Sequence, residues 1–210
     1  MAIMKGGRLY GRVGDQLFYV RNGVQCVRSV KKKARSNKPI SDIRAKQVAR
    51  MKAAMRFLVP LKSIIYNTCR PYNERMTGMN RAVQQVIREA LVNSEGGPYV
   101  DPTKVKVSRG RSGDLYLETV QLVNSHLKLQ WADNFRFSNH QQLFLVAYNV
   151  EQELVQLSEG HPLGDKQLEV ALQDAILDGT FHLYYYLSDR LSKTYSESRY
   201  VGAFSGLVES

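Results

Sequence analysis

The clearest pattern of apolar positions in the chain lies near its C-terminal end. From Thr180 to Ser188, apolar or aromatic side chains occupy both alternating sets of positions. One set is Phe181, Leu183, Tyr185 and Leu187, and the other is His182, Tyr184 and Tyr186. Because successive side chains of a strand point to opposite faces, both faces of this strand require cover. The pattern therefore predicts the central strand of a sheet, with a polar turn and a returning strand after it.

Shorter alternating segments precede this hairpin. They lie at residues 105–107, 115–122, 126–131, 143–149, 153–157 and 168–172. A series of short strands over roughly 100 residues, with no long helix among them, is typical of a β-sandwich. We therefore expect an antiparallel immunoglobulin-like or fibronectin type III-like sandwich, with Trp131 as a core residue.

The N-terminal half has a different pattern. Asn22-Gly23 separates two apolar arms at residues 16–21 and 24–30 and fits the positive φ angles of a tight hairpin turn. Helical periodicity then predicts a helix from Ser41 to about residue 66, which Pro60 either kinks or breaks and restarts, and a second helix at residues 78–92. The expected core stripe of the first helix is Val48, Met51, Met55 and Leu58. The glycine-rich residues 1–14 predict a flexible or tightly turned arm.

These elements predict an α+β protein, with a β-hairpin and two amphipathic helices in front of the sandwich. Residues 93–98 contain two glycines and a proline, which interrupt the helical pattern. We therefore place the domain boundary there. The expected divisions are a basic module at residues 1–97, the sandwich at 98–204 and a loosely held tail at 205–210.

Charge is distributed unevenly between the two halves. Residues 1–90 contain 20 Lys or Arg and 4 Asp or Glu, whereas residues 91–210 contain 10 and 15. A segment running from Arg28 to Pro39 holds six basic residues and no acid. It is open to three interpretations: a solvated linker, a contact with a polyanion, or a contact with an acidic protein groove.

If the segment meets a polyanion, its cations contact phosphates without reading bases, which makes binding independent of sequence and sensitive to salt. The candidate residues for contact with a polyanion or a partner are Arg28, Lys31, Lys32, Lys33, Arg35, Lys38, Arg44 and Arg50.

The sequence contains no recognisable catalytic signature, and we expect no catalytic residue, cofactor or metal. The four histidines show no i, i+4 pair, and Cys26 and Cys69 form no Cys-x-x-Cys motif and are expected to be unpaired thiols. Asp133-Asn134 fits a turn better than a calcium site. The tyrosines at 184–186 are favoured as core over a base-stacking or sugar-stacking surface. The first residues lack the apolar segment of a signal peptide, so a cytoplasmic or particle-associated protein is expected.

Several short motifs together resemble a family of uncharacterised proteins common in Bacteroidota. They are Gly11-Arg-Val-Gly14, the basic Arg28 to Lys32, Gln47, Leu58-Val-Pro60-Leu61, Trp131-Ala-Asp133-Asn134 and Ser196-Glu-Ser198-Arg-Tyr200. One departure lies at Lys38-Pro39-Ile-Ser41, where Ser replaces the expected Thr and keeps a capping oxygen. The resemblance implies the architecture described above and no activity.

The favoured function is a non-enzymatic structural, assembly or interaction protein, such as a component of a phage virion or similar particle. In this hypothesis the basic arm docks on a neighbouring subunit or a polyanion, and a protein partner or homo-oligomer is expected. The alternative is a sequence-independent nucleic-acid-binding accessory protein. An enzyme is the least favoured class, since it needs a cleft that the sequence does not indicate.

Overall fold

The computed structural model describes residues 2–21, 23–30, 41–69, 76–111, 113, 115–132 and 140–206. The chain divides into two compact units, residues 1–40 and residues 41–210. Both contain antiparallel sheets, and helices accompany them in the second, which confirms the mixed α+β class.

The N-terminal unit is a four-stranded antiparallel meander with strand order β1-β2-β3-β4. Its strands are β1 (Ala2–Lys5), β2 (Arg8–Val13), β3 (Gln16–Arg21) and β4 (Val24–Ser29). The predicted hairpin is confirmed as β3 and β4. Of the two forms expected for the arm at residues 1–14, the structure has the tightly turned one, a second hairpin that turns through Gly6 and Gly7 at φ 52° and 71°. Glycine adopts this left-handed conformation without the Cβ clash of other residues.

Helical elements open the larger unit. They are α1 (Asp42–Leu58), α2 (Lys62–Thr68), α3 (Gly78–Gln85) and a π-helical turn (Val86–Ala90). The hairpin of β5 (Leu91–Ser94) and β6 (Gly97–Val100) follows, and then a 3₁₀ turn (Pro102–Lys104). The break predicted at Pro60 is confirmed, since α1 ends before it and α2 begins after it. The second predicted helix ends at Ala90 rather than residue 92.

The remaining elements of the larger unit are mostly strands. They are β7 (Leu117–Val123), β8 (His126–Trp131), β9 (Gln141–Asn149), β10 (Leu154–Leu157), β11 (His161–Pro162), a 3₁₀ turn (Leu163–Asp165), β12 (Gln167–Ala171), α4 (Asp174–Leu177), β13 (Thr180–Asp189), β14 (Thr194–Tyr195) and β15 (Arg199–Ser205). One sheet has the order β10-β9-β13-β14, with β11 also on β9 and β15 also on β13. A second sheet has the order β12-β8-β7.

The predicted central strand is confirmed as β13, which pairs with β9 on one side and with β14 and β15 on the other. Its two predicted faces enter two different cores. Leu183, Tyr185 and Leu187 belong to the core shared with β8 and β12, where Trp131 is also buried. Tyr184 and Tyr186 belong to the core shared with the helices. The tyrosines at 184–186 are therefore core residues, as predicted.

Contacts between the helices and the central sheet are specific as well as apolar. The rings of Phe57 on α1 and Tyr148 on β9 meet edge to face, with centroids 5.0 Å apart. The Tyr148 hydroxyl donates to the Phe57 carbonyl at 3.0 Å. That carbonyl is among the last four of α1, which have no partner within the helix. A second tyrosine, Tyr184, donates its hydroxyl to the Pro102 carbonyl at 2.8 Å.

Because α1 to α3 cover one face of the central sheet, they share a unit with the strands. The division of the chain therefore falls between residues 40 and 41 and not near residue 97, where the sequence suggested it. Residues 95 and 96 instead form the tight turn between β5 and β6. The predicted tail starts at residue 205, which is the last residue of β15, and residues 207–210 lie outside the described residues.

The buried side of α1 differs from the predicted stripe at its N-terminal end. Leu58 is buried as expected, together with Ala54 and Phe57, but Val48 and Met51 are about half exposed. Residues 41–48, which include the first two turns of α1, are all exposed. The periodicity identified the helix correctly but did not show which part of its apolar stripe is buried.

Candidate interaction surface of the N-terminal sheet

The strand register of the N-terminal unit gives its sheet two chemically different faces. Directly opposed residues share a face, and the pairs Leu17–Arg28, Arg12–Leu17 and Lys5–Arg8 connect all four strands. Side chains two positions apart along a strand then complete each face. We define the cationic face as Ile3, Lys5, Arg8, Tyr10, Arg12, Leu17, Tyr19, Arg21, Val24, Cys26 and Arg28. We define the uncharged face as Met4, Leu9, Gly11, Val13, Gln16, Phe18, Val20, Gln25, Val27 and Ser29.

Every basic residue of the four strands lies on the cationic face, and all five are exposed: Lys5, Arg8, Arg12, Arg21 and Arg28. The only acid within residues 1–40 is Asp15, which sits in the turn between β2 and β3. It lies 3.7 Å from the Arg12 guanidinium, which also donates from Nε to the Gly14 carbonyl at 2.7 Å. Arg12 is therefore held at one end of the face, and the other four cations have no acid beside them on the sheet.

Two tyrosines lie among these cations. Tyr10 and Tyr19 occupy adjacent strands, each one residue beyond the Gly11–Phe18 pair, and their exposed fractions are 39% and 36%. The guanidinium carbon of Arg28 lies 6.0 Å from the centre of the Tyr19 ring, which is a cation–π distance. Positive charge and open aromatic rings thus alternate on one side of a single sheet.

The uncharged face carries apolar side chains over which the described residues of the unit place no second layer. Val27, Val13 and Met4 are more than half exposed. Gln25 ties β4 to β2, since its side chain donates to the Leu9 carbonyl at 2.9 Å and accepts from the Leu9 amide at 3.0 Å. Among the described side chains of residues 1–40, none is buried. The described part of the unit consequently has no hydrophobic core.

The predicted contact residues fall into three groups. Arg28 lies on the cationic face, and Arg44 is exposed on α1 in the larger unit. Lys31, Lys32, Lys33, Arg35 and Lys38 lie outside the described residues. Arg50 is engaged in the fold, because its guanidinium donates from Nη2 to the Ile87 carbonyl at 3.3 Å and its Nε is buried. It therefore connects α1 to the π-helical turn and is not an open cation.

Sequence reasoning missed four members of the face: Lys5, Arg8, Arg12 and Arg21. A signal for them was present. Arg8-Leu-Tyr10-Gly-Arg12 alternates polar or aromatic positions with apolar or small ones, and Tyr19-Val-Arg21 repeats the pattern over three residues. Alternation of this kind is typical of a strand with two different faces.

No protein-family model and no curated protein matches this sequence. In the part of the chain that the structure describes, every helix is too short or too polar to cross a lipid bilayer.

The larger unit contains titratable side chains that bear on catalytic chemistry. Within its described residues, no three His, Cys, Asp or Glu side chains converge on a point where a metal could bind. His182 Nδ1 lies 3.1 Å from the Tyr200 hydroxyl, and burial lowers the pKa of this histidine. Burial raises the pKa of the Cys69 thiol to about 11, which leaves it protonated and a weak nucleophile. The predicted turn at Asp133-Asn134 lies outside the described residues.

A groove of about 370 Å³ opens between β7 and β15. Tyr116, Val120, Arg199 and Phe204 line it. It is wide and shallow and contains no paired acid and base or activated nucleophile. The cationic face of the N-terminal sheet is therefore the more distinctive surface of the described chain.

Proposed function

We propose that this chain is a non-enzymatic assembly or interaction protein whose N-terminal sheet is a docking module. The observation that carries the proposal is the absence of any buried side chain among the described residues of that sheet. A single-layer sheet gains stability mainly when one face packs against another layer. A neighbouring subunit that covers the uncharged face supplies such a layer, as in a virion or similar particle.

The larger unit acts as the scaffold in this proposal. It has two cores of buried apolar residues, one on each side of the central sheet. We further propose that its two sheets form a fibronectin type III-like sandwich with helices added to one outer face. The strand orders support this, because β7, β8 and β12 make one sheet and β10, β9, β13 and β15 make the other.

Self-association of the full chain tests the proposal. We expect light scattering after size exclusion to show oligomers that dissociate on dilution. Phe18→Asp places a charge on the uncharged face and should reduce self-association, because an unpaired charge at an apolar interface is costly. Val24→Asp is the matched control, since Val24 is an exposed β-branched residue on the cationic face.

A chain that stays monomeric at every concentration tested contradicts docking between copies. Equal effects of the two Asp variants contradict the assignment of the uncharged face. Hydrogen exchange of β3 amides identifies variants that have lost the sheet itself, because an unfolded sheet loses its protection.

A second candidate function is a sequence-independent nucleic-acid-binding accessory protein. The observation that favours it is the collection of five exposed cations on one face without an acid among them. Binding to phosphates releases counterions, so affinity should fall linearly with salt on a double-logarithmic plot. A filter-binding series with the full chain measures this slope, and a slope of zero or no binding at low salt excludes the candidate.

A further inference from the structure

We propose that the cationic face of the N-terminal sheet binds single-stranded nucleic acid, with its tyrosines stacking on bases and its cations contacting phosphates. The inference rests on the second candidate function and names its substrate class and binding residues. The stacking residues are Tyr10 and Tyr19, and the phosphate contacts are Lys5, Arg8, Arg21 and Arg28.

Exposed aromatic rings on the sheet favour single-stranded nucleic acid over a duplex. The bases of a duplex are stacked on each other, so their flat faces are closed to side chains of a protein surface. A single strand presents those faces and stacks on tyrosine whatever its sequence. Tyr10 and Tyr19 each expose more than a third of their surface in the middle of the face. They provide two neighbouring stacking positions, since they lie on adjacent strands.

The cations lie beside the two tyrosine rings, where they can contact the phosphates of a nucleic acid whose bases stack on those rings. Arg8 and Arg12 flank Tyr10 two residues to either side, and Arg21 stands two residues beyond Tyr19. Positions two apart on one face are separated by about 7 Å, within reach of long arginine side chains. Arg28 already lies against the Tyr19 ring and supports it from the next strand. The face thus combines a charged track with a stacking platform.

Charge complementarity selects the phosphate backbone over a neutral ligand. With Asp15 confined to a turn and paired with Arg12, nothing on the face repels an anion. Four cations remain for phosphate contacts. For single strands, each neutralised phosphate contributes about 0.7 to the salt slope, so we expect a slope of about −3.

The test uses the full chain and a fluorescent thymidine oligonucleotide, and measures anisotropy against salt. A duplex of equal length, anionic phosphatidylserine vesicles and a polyglutamate peptide serve as competitors. Tyr10→Ala with Tyr19→Ala removes stacking, and Tyr10→Phe with Tyr19→Phe keeps the ring. Arg8→Ala with Arg21→Ala removes two charges. Tyr116→Ala is the matched control, because Tyr116 is an exposed tyrosine of the larger unit.

We expect the single strand to bind more tightly than the duplex. The alanine pair should weaken binding about tenfold or more at an unchanged salt slope, because stacking is worth roughly 1–3 kcal/mol per base. The phenylalanine pair and Tyr116→Ala should keep the affinity of the original chain. The arginine pair should make the slope shallower by about 1.4.

Three results overturn the inference and separate it from the candidate function beneath it. Salt-dependent binding that is insensitive to the tyrosine-to-alanine change leaves nucleic-acid binding standing and removes the stacking mode. Tighter binding to duplex, vesicles or polyglutamate assigns the face to that ligand instead. No binding to either nucleic acid removes both proposals. Hydrogen exchange of β3 amides in the alanine pair distinguishes loss of stacking from loss of the sheet, and the phenylalanine pair tests the ring even if the alanine pair unfolds.

Discussion

The packing of α1 on the central sheet gives a stability prediction that can be worked out from one residue. Phe57 is 5% exposed, lies edge to face with Tyr148 and belongs to the helix-side core. Phe57→Ala removes that ring contact and leaves a cavity, which costs about 3–5 kcal/mol in a well-packed core. In a unit of this size, each kcal/mol lowers Tm by about 2–4 °C, so we expect a fall of roughly 6–20 °C.

Trp131 makes the experiment informative about the whole unit. It is the only tryptophan of the chain, it is buried in the core on the opposite side of the central sheet, and its indole donates to the Leu163 carbonyl at 3.2 Å. If the helices are an integral layer, tryptophan fluorescence and far-ultraviolet circular dichroism will report one coincident transition, shifted by Phe57→Ala.

Val59→Ala is the control for this experiment, because Val59 lies two residues away and is 52% exposed. A surface change of this kind should alter stability by less than about 0.5 kcal/mol. A Phe57→Ala protein whose tryptophan transition is unshifted, while helical signal is lost at lower temperature, would refute the single-unit interpretation.

Three further outcomes concern a close backbone contact in the larger unit, the two thiols of the chain and one buried tyrosine. Gly110→Ala should lower the free energy of unfolding by roughly 1–3 kcal/mol and therefore lower the urea midpoint, because a Cβ there would lie 1.8 Å from a carbonyl oxygen of β14. Gly164→Ala is the control and should leave the midpoint unchanged, because the space around Gly164 is open. At pH 8 a thiol reagent should label Cys26 and spare Cys69, whose raised pKa keeps it protonated in the folded protein; labelling of both without denaturant contradicts this. Burial raises the pKa of Tyr148 to about 12. The protonated hydroxyl therefore stabilises the folded state fully below pH 10, and this stabilisation is lost as pH rises from 10 through 12, at up to about 1.4 kcal/mol per pH unit. Urea unfolding at several alkaline pH values, with tyrosinate absorbance as a second readout, measures it, and stability that stays level from pH 10 to 12 speaks against the assignment.

Much of the larger unit was predictable from local pattern. The two alternating sets of residues 181–187 identified a central strand with two covered faces, and both faces are covered. The turn chemistry of Gly23 located the N-terminal hairpin, and Pro60 located the break between the first two helices. In each case neighbouring residues determine the local backbone conformation, so the sequence contains the information directly.

What covers the second face of β13 was not predictable in the same way. The sequence suggested that the helices belong to a separate module, because a glycine-rich segment and a change of charge follow them. Contacts such as Tyr148 with Phe57 join residues 91 positions apart, and no periodicity encodes such a pairing. The exposed half of α1 was misassigned for the same reason, since only the tertiary contacts show where Val48 and Met51 lose their cover.

The positive charge of the candidate site was predictable from the sequence, but the position of the site was not. An excess of cations in the first part of the chain was evident, and it directed attention to the basic segment after β4. The cationic face became visible only with the register, which brings residues of four strands onto one side. A shift of one residue in any pairing would have moved that strand's arginines to the opposite side.

The position of β13 also bears on how the chain reaches its native state. During synthesis, α1 emerges from the ribosome long before β9. The other strand at the centre of the sheet, β13, emerges later still. Until β13 has been synthesised, neither hydrophobic core can form completely, and the amphipathic helices have no sheet to pack against. Domains that depend on such distant contacts fold slowly and expose sticky surface in the interval. Nascent chains of this protein should therefore engage chaperones until β13 has emerged, and a premature stop before residue 180 should yield an aggregating product rather than a smaller folded one.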